Sequence, residues 1–194
     1  FCAAVALSLP FAALSAAPSI AQSLSSAAIV PAIATDDLDA VFAGQSCTVT
    51  KALSQLDAPI ARMTKRLDGI EPVTIVALGS SSTAGAGASS SPFSYPSRLE
   101  RELKHRFPRE TINVVNLGAN GEEAADMIAR MDSTLARNPD LVLWQIGTNA
   151  ILRDKSVPDV GNSLEAGIAR IKSSGADVLL IDPQFAPAVN AKQS

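Results

Sequence analysis

The chain has 194 residues, of which 47% are hydrophobic and 18% charged. That length and apolar content suffice for one domain with a real core and exclude a disordered chain. A formal net charge of −3 excludes the basic footprint of a nucleic-acid binder and a polybasic membrane patch.

The chain opens on an uncharged Ala/Leu/Val-rich run, Phe1 to Ala17, followed by the small-x-small triplet Ser19-Ile20-Ala21. The run is too short to span a bilayer and ends as a signal peptide ends, so residues 1–21 are predicted to be one, with Gln22 as the mature start. That implies an exported protein, secreted or periplasmic. A buried N-terminal helix is the alternative for the same run. An initiating Met and a basic leader segment are both missing, which reads as a signal peptide given only in part, cut short at its N-terminus. Cys2 leaves with the signal; Cys47 has no neighbouring His and no Cys-x-x-Cys pattern, so neither metal nor redox chemistry is supported.

Residues 22–50, rich in Ala, Ser and Thr with acids at Asp36, Asp37 and Asp39, read as a linker. Leu53, Leu56, Ile60, Met63 and Leu67 then form one apolar helical stripe, a covering helix over 51–69 that kinks or begins at Pro59.

From residue 70 to 194 the pattern alternates. Short apolar runs at Val73–Leu78, Ile112–Leu117, Leu141–Ile146 and Val178–Ile181 fit strands of a parallel sheet buried on both faces. Helical patterns over about 95–107, 122–137 and 158–173 separate them, the second with Ala124, Met127, Ile128, Met131 and Leu135 turned inward. The prediction is an α/β fold: a doubly wound, flavodoxin-like three-layer sandwich with a mostly parallel sheet and right-handed crossovers, incomplete at the C-terminus. In such sheets ligands sit at the C-terminal ends of the strands.

Three of those ends are unusual. The first strand runs into Gly79-Ser80-Ser81-Ser82-Thr83-Ala84-Gly85, whose hydroxyls could serve as nucleophiles, phosphate ligands or turn residues. There is no Lys for a P-loop, no third Gly for a dinucleotide fingerprint, and Thr83 breaks a Gly-x-Ser-x-Gly elbow. The second strand ends in Asn116-Leu117-Gly118-Ala119-Asn120-Gly121-Glu122-Glu123, with Gly121 just before a helix, where amides and the helix dipole favour an anion. An ordinary loop capped by Asn120, with Glu122 and Glu123 in the first helical turn, accounts for the same residues. The third ends in Gly147-Thr148-Asn149, and Asn149 is either a donor at the sheet edge or a turn residue bonded to its own backbone.

In this order the three blocks resemble those of the SGNH/GDSL hydrolase family, over about residues 70–185. Gly79 to Gly85 matches the family's Gly-Asp-Ser-x-Ser/Thr-x-Gly except at Ser80, which stands for Asp. Asn116 and Gly121 match Asn-x-x-x-x-Gly, and Gly147, Thr148 and Asn149 match Gly-x-Asn-Asp except that Ala150 replaces the final Asp. The resemblance implies a serine hydrolase cleaving carboxylic esters (an esterase, lipase or carbohydrate deacetylase) through an acyl-serine intermediate. Ser81 is then the nucleophile, and the Gly121 amide, the Asn149 side chain and the Ser81 amide form the oxyanion hole. The family's base lies in a C-terminal Asp-x-x-His block, which this sequence lacks; the sole histidine, His105, sits among charged neighbours. The expectation is a chain truncated before that block and itself nearly inert. The other class of function is a non-catalytic carbohydrate or cell-envelope binding module on the same fold. No cofactor and no metal are implied. The expected partner is a small-molecule or glycan ester, with no nucleic acid and no stable membrane insertion once the signal is removed. The sequence leaves the ester and the oligomeric state open.

Overall fold

The computed structural model describes residues 55–56, 58–183 and 187–191. The chain divides into two units, Phe1–Gln55 and Leu56–Ser194, and every element named here belongs to the second. The expected signal peptide and linker lie outside the described residues, as do Cys2, Cys47 and Leu53.

Four strands form one parallel sheet: β1 (Val73–Gly79), β2 (Ile112–Gly118), β3 (Leu141–Gln145) and β4 (Asp177–Ile181). Their order is β2-β1-β3-β4, with Leu78 opposite Leu117 on one side and Trp144 on the other. The doubly wound α/β fold expected from the alternation is present. Side chains of the central strands β1 and β3 are almost wholly buried, whereas those of β2 and β4, apart from buried Ile112, are half-buried or exposed. The nearly continuous apolar runs concealed most of this difference, although Asn113 and Asn116 interrupt β2. A strand's neighbours on the sheet decide how much water reaches it.

Helices cover both faces, because alternate side chains of one strand point to opposite sides. On one face α1 (Ala61–Leu67) and α3 (Tyr95–Arg106) pack Met63, Leu99 and Leu103 against Val73, Ile75, Leu141 and Leu143. The helix α1 begins after Pro59 with Ile60 as its N-cap, and Leu56 is 48% exposed, so the apolar stripe is shorter than its spacing suggests. Its position is set at the N-terminal edge of the sheet. Buried Asp140 accepts from the Nε of Arg62 and of Arg66, both at 2.9 Å, and from the Thr74 amide at 3.0 Å.

On the other face α4 (Ala124–Ala129), α5 (Met131–Leu135) and α7 (Val157–Ser173) surround Leu78, Val142 and Trp144. The indole Nε1 of Trp144 donates to the sulfur of Met127 at 3.1 Å. Gly167 is what lets α7 lie on the indole: a Cβ there would stand 2.2 Å from the Trp144 ring. Short helices α2 (Ser81–Ala84), α6 (Thr148–Leu152) and α8 (Pro187–Asn190) complete the set, and a 3₁₀ turn spans Ser91–Phe93.

The single helix expected over 122–137 is two. Arg130, at φ −103° and ψ 12°, ends α4 and begins α5. The hydroxyls of Ser133 and Thr134 both donate to its carbonyl, competing with the helical ladder at the break.

Candidate active site

The C-terminal ends of β1, β2 and β3 lie side by side, and each carries one of the blocks singled out in the sequence. Ser81 is the first residue of α2, directly after β1, and is half-buried. The turn between them is folded tightly onto β2: a Cβ at Gly118 would stand 2.1 Å from the Ala84 nitrogen, so only glycine permits this approach. The Ala119 amide closes the contact by donating to the Gly79 carbonyl at 3.0 Å.

Ser80 is buried; its carbonyl accepts from the Ala84 amide at 3.0 Å within its own turn, while its donors reach across the sheet. Its amide and its hydroxyl both donate to the Oε1 of Gln145, at 3.3 and 3.2 Å. The Nε2 of Gln145 in turn donates to the hydroxyl of Thr148 at 3.1 Å. A neutral buried relay thus joins the residue before Ser81 to the residue before Asn149. Gln145 escaped the sequence reading, although a lone amide inside the apolar run Leu141–Ile146 was its signal.

Gly121 is exposed at φ 76° in the loop after β2, three residues ahead of α4. The expected placement at the head of the helix is corrected. Glu123 is the N-cap in a capping box with Asp126, whose Oδ2 accepts from the Glu123 amide at 2.9 Å. Glu122 and Glu123 therefore precede the helix, and the caps are supplied by carboxylates rather than by Asn120. Arg153 holds the loop from outside, donating to the Gly121 carbonyl at 3.0 Å and to the Glu123 carboxylate at 2.7 Å. That bond holds the Glu123 carboxyl below its ordinary value; burial opposes it and the charges of Lys155 and Arg153 add to it. Asn116 supports the same segment through a 2.9 Å bond from the Gly118 amide to its Oδ1.

Asn149 lies in α6 and is half-buried. Its Nδ2 donates to the Glu122 carbonyl at 2.7 Å, joining the segment after β3 to the loop after β2 on the far side of β1, not to its own turn. The structure thus brings Asn149 against the segment of Gly121 and sets Ser81 on the adjoining strand end. Among the described residues, the Ser81 hydroxyl and the Gly121 amide make no hydrogen bond.

Arg130 also went unremarked in the sequence. It stands between Ile128 and Met131 of the apolar stripe but outside it, and nothing in the local pattern marked it. Its side chain bonds Glu122 and the carbonyl of Leu117.

Beside α6 opens a cleft of about 530 Å³, walled by Gly147, Ala150, Ile151, Leu164, Leu180 and Pro183 among others. His105 is nowhere near it. The Thr83 hydroxyl meets the Tyr95 hydroxyl at 3.5 Å at the start of α3, and His105 is ten residues further along that helix. At 1.5 Å per residue this is about 15 Å away, toward the opposite edge of the sheet. Burial pushes the Tyr95 phenol up, with the Thr83 bond opposing, so it stays neutral near pH 7.

A sequence model of the Non-GDSL lipase-like family matches residues 46–194. The chain belongs to the Non-GDSL lipase-like family. Ser80, standing where the GDSL block has Asp, agrees with that description. The resemblance to SGNH/GDSL hydrolases holds among solved structures as well. The chain is 26% identical to AlinE4, an SGNH-hydrolase family esterase, with a TM-score of 0.52 over 57% of this chain and 58% of that one. It is 26% identical to TesA, TM-score 0.55, over 61% of this chain and 68% of that one. It is 25% identical to a two-domain esterase active on acetylated mannans, TM-score 0.57, over 63% of this chain and 34% of that one. No curated protein matches the chain. This member of the Non-GDSL lipase-like family therefore spans about three-fifths of the length of AlinE4. Among the described residues no helix is long and apolar enough to cross a membrane.

Proposed function

We propose that this protein is an exported ester hydrolase working through an acyl-serine intermediate, with Ser81 as nucleophile and the Gly121 amide and Asn149 side chain as oxyanion donors. In the first step the Ser81 oxygen bonds to the ester carbonyl carbon, the alkoxy C–O bond breaks, and the alcohol leaves with the serine proton. Water then releases the acid and restores the serine.

The observation that carries this reading is the bond from Asn149 to the Glu122 carbonyl, next to Gly121 and beside the strand end that bears Ser81. An amide nitrogen has two protons, so Asn149 keeps one for a developing oxyanion. Donors fixed before reaction need no reorganisation when the charge appears, and removing one costs about 10²–10³ in turnover. The neutral relay Ser80–Gln145–Thr148 supplies the rigidity between two of these strand ends. The largely apolar cleft beside α6 is suited to an acyl or leaving group, and small esters, including acetylated glycans, are the proposed substrates.

A serine needs a base. His105 is too distant, so the reading assigns the base to an Asp-x-x-His block outside these 194 residues. The apolar run Phe1 to Ala17 and the triplet before Gln22 support export.

The test uses the full-length polypeptide. A fluorophosphonate probe should label Ser81, and Ser81→Ala should abolish both labelling and hydrolysis of p-nitrophenyl acetate. Glycan binding without labelling would identify a binding module instead. Equal hydrolysis by the Ser81→Ala form removes Ser81 from its role.

A further inference from the structure

We propose that Arg130 is a positioning residue of this site, setting the oxyanion loop and offsetting the charge of Glu122; this rests on the ester-hydrolase reading above. Its Nη2 donates to the Leu117 carbonyl at 2.6 Å and to the Glu122 carboxylate at 2.5 Å, and it reaches the Gly79 carbonyl at 3.4 Å. Its Nε donates to the same Glu122 oxygen at 2.9 Å.

Each of these partners belongs to a segment that carries a proposed catalytic group. Gly79 is two residues before Ser81. Leu117 is the penultimate residue of β2, which leads into the loop of Gly121. Glu122 follows Gly121, and its carbonyl is the acceptor for Asn149. One planar cation therefore binds the ends of β1 and β2 and, through Glu122, the side chain from β3. The rigid fork of a guanidinium suits several acceptors at fixed angles, which a lysine ammonium does not match.

The position of the charge matters as well. The Arg130 and Glu122 side chains are only 25% and 17% exposed, so water screens Glu122 incompletely. Without Arg130 an uncompensated carboxylate is left on the residue whose carbonyl holds Asn149, and a like charge in that segment raises the barrier to an oxyanion rather than weakens substrate binding. The break between α4 and α5 falls at Arg130 itself, so the backbone turns where the side chain reaches back to the sheet.

The experiment compares Arg130→Met, Arg130→Lys, Glu122→Gln and the Arg130→Met/Glu122→Gln pair in the full-length protein. Turnover is expressed per site titrated with a phosphonate, so misfolded molecules are not counted. Arg130→Met should lower kcat about a hundredfold, the loss expected for a displacement near 1 Å. KM should stay within about twofold, because the group acts in the transition state. Arg130→Lys should recover part of the loss, and the paired variant should exceed Arg130→Met alone, since it removes the stranded carboxylate. If Arg130→Met does not fold, Arg130→Lys carries the test with the same split between kcat and KM. A kcat per titrated site equal to that of the unaltered protein would mean that Arg130 only supports the fold, and overturns the proposal. Hydrolysis that survives Ser81→Ala would instead remove the underlying reading, whatever the Arg130 variants do.

Discussion

The side-chain amide of Asn149 donates to the main-chain carbonyl of Glu122 at 2.7 Å, joining two strand ends that lie 27 residues apart in the chain. The bond fixes the direction of the Asn149 amide and holds the loop of Gly121 from the β3 side. Asn149→Ala should lower kcat of the full-length protein by about 10²–10³ with little change in KM, the usual result of removing one oxyanion donor. Asn149→Asp keeps the shape but has no N–H, so it should fare no better. Steady-state kinetics on p-nitrophenyl acetate checks both, and an active Asn149→Asp enzyme would exclude the amide as donor.

Gln145 is 3% exposed and serves Ser80 and Thr148 together. Gln145→Leu fills the same volume but leaves the Ser80 amide and hydroxyl without their acceptor. We expect a stability loss of about 1–3 kcal/mol, the cost of an unsatisfied buried polar group. Urea unfolding should show a lower midpoint at unchanged slope. An unmoved midpoint would show that the relay contributes nothing to stability.

Gly167→Ala places a methyl group into the Trp144 ring, which is fully buried. Either α7 moves outward or the indole leaves its rotamer and loses Met127. Overpacking of this kind costs about 1–3 kcal/mol. The thermal midpoint should fall and the near-ultraviolet signal of the single tryptophan should change; retention of both would show that the contact yields freely.

Glu123 gives a pH test. The Arg153 hydrogen bond leads the causes that hold its carboxyl below the ordinary 4.5. A folded value below the unfolded one means that the unfolded chain binds the proton more tightly. The stabilising contribution is therefore complete above about 4.5 and is lost as the pH falls through the lower folded value. Carbon NMR should place the Glu123 midpoint below 4.5, and Arg153→Met should raise it. A midpoint unaffected by Arg153→Met would assign the shift to another group.

Local pattern alone located the strands, the three long helical segments and the doubly wound class, because burial imposes a period that the residues themselves display. The same pattern put the three unusual blocks at strand ends; the resemblance to SGNH/GDSL hydrolases singled out Ser81, Gly121 and Asn149 within them, and the strand order made those ends neighbours. Partners were another matter. Ser80 meets Gln145 across 65 positions, Arg130 meets Gly79 across 51, and nothing near either residue in the chain announces the other. The break at Arg130, the delayed start of α4 and the half-exposed edges of β2 and β4 also emerged only in three dimensions. A hydrogen bond depends on distances of a few tenths of an ångström, which register and packing decide, whereas the hydrophobic effect sums over area and leaves its mark along the chain.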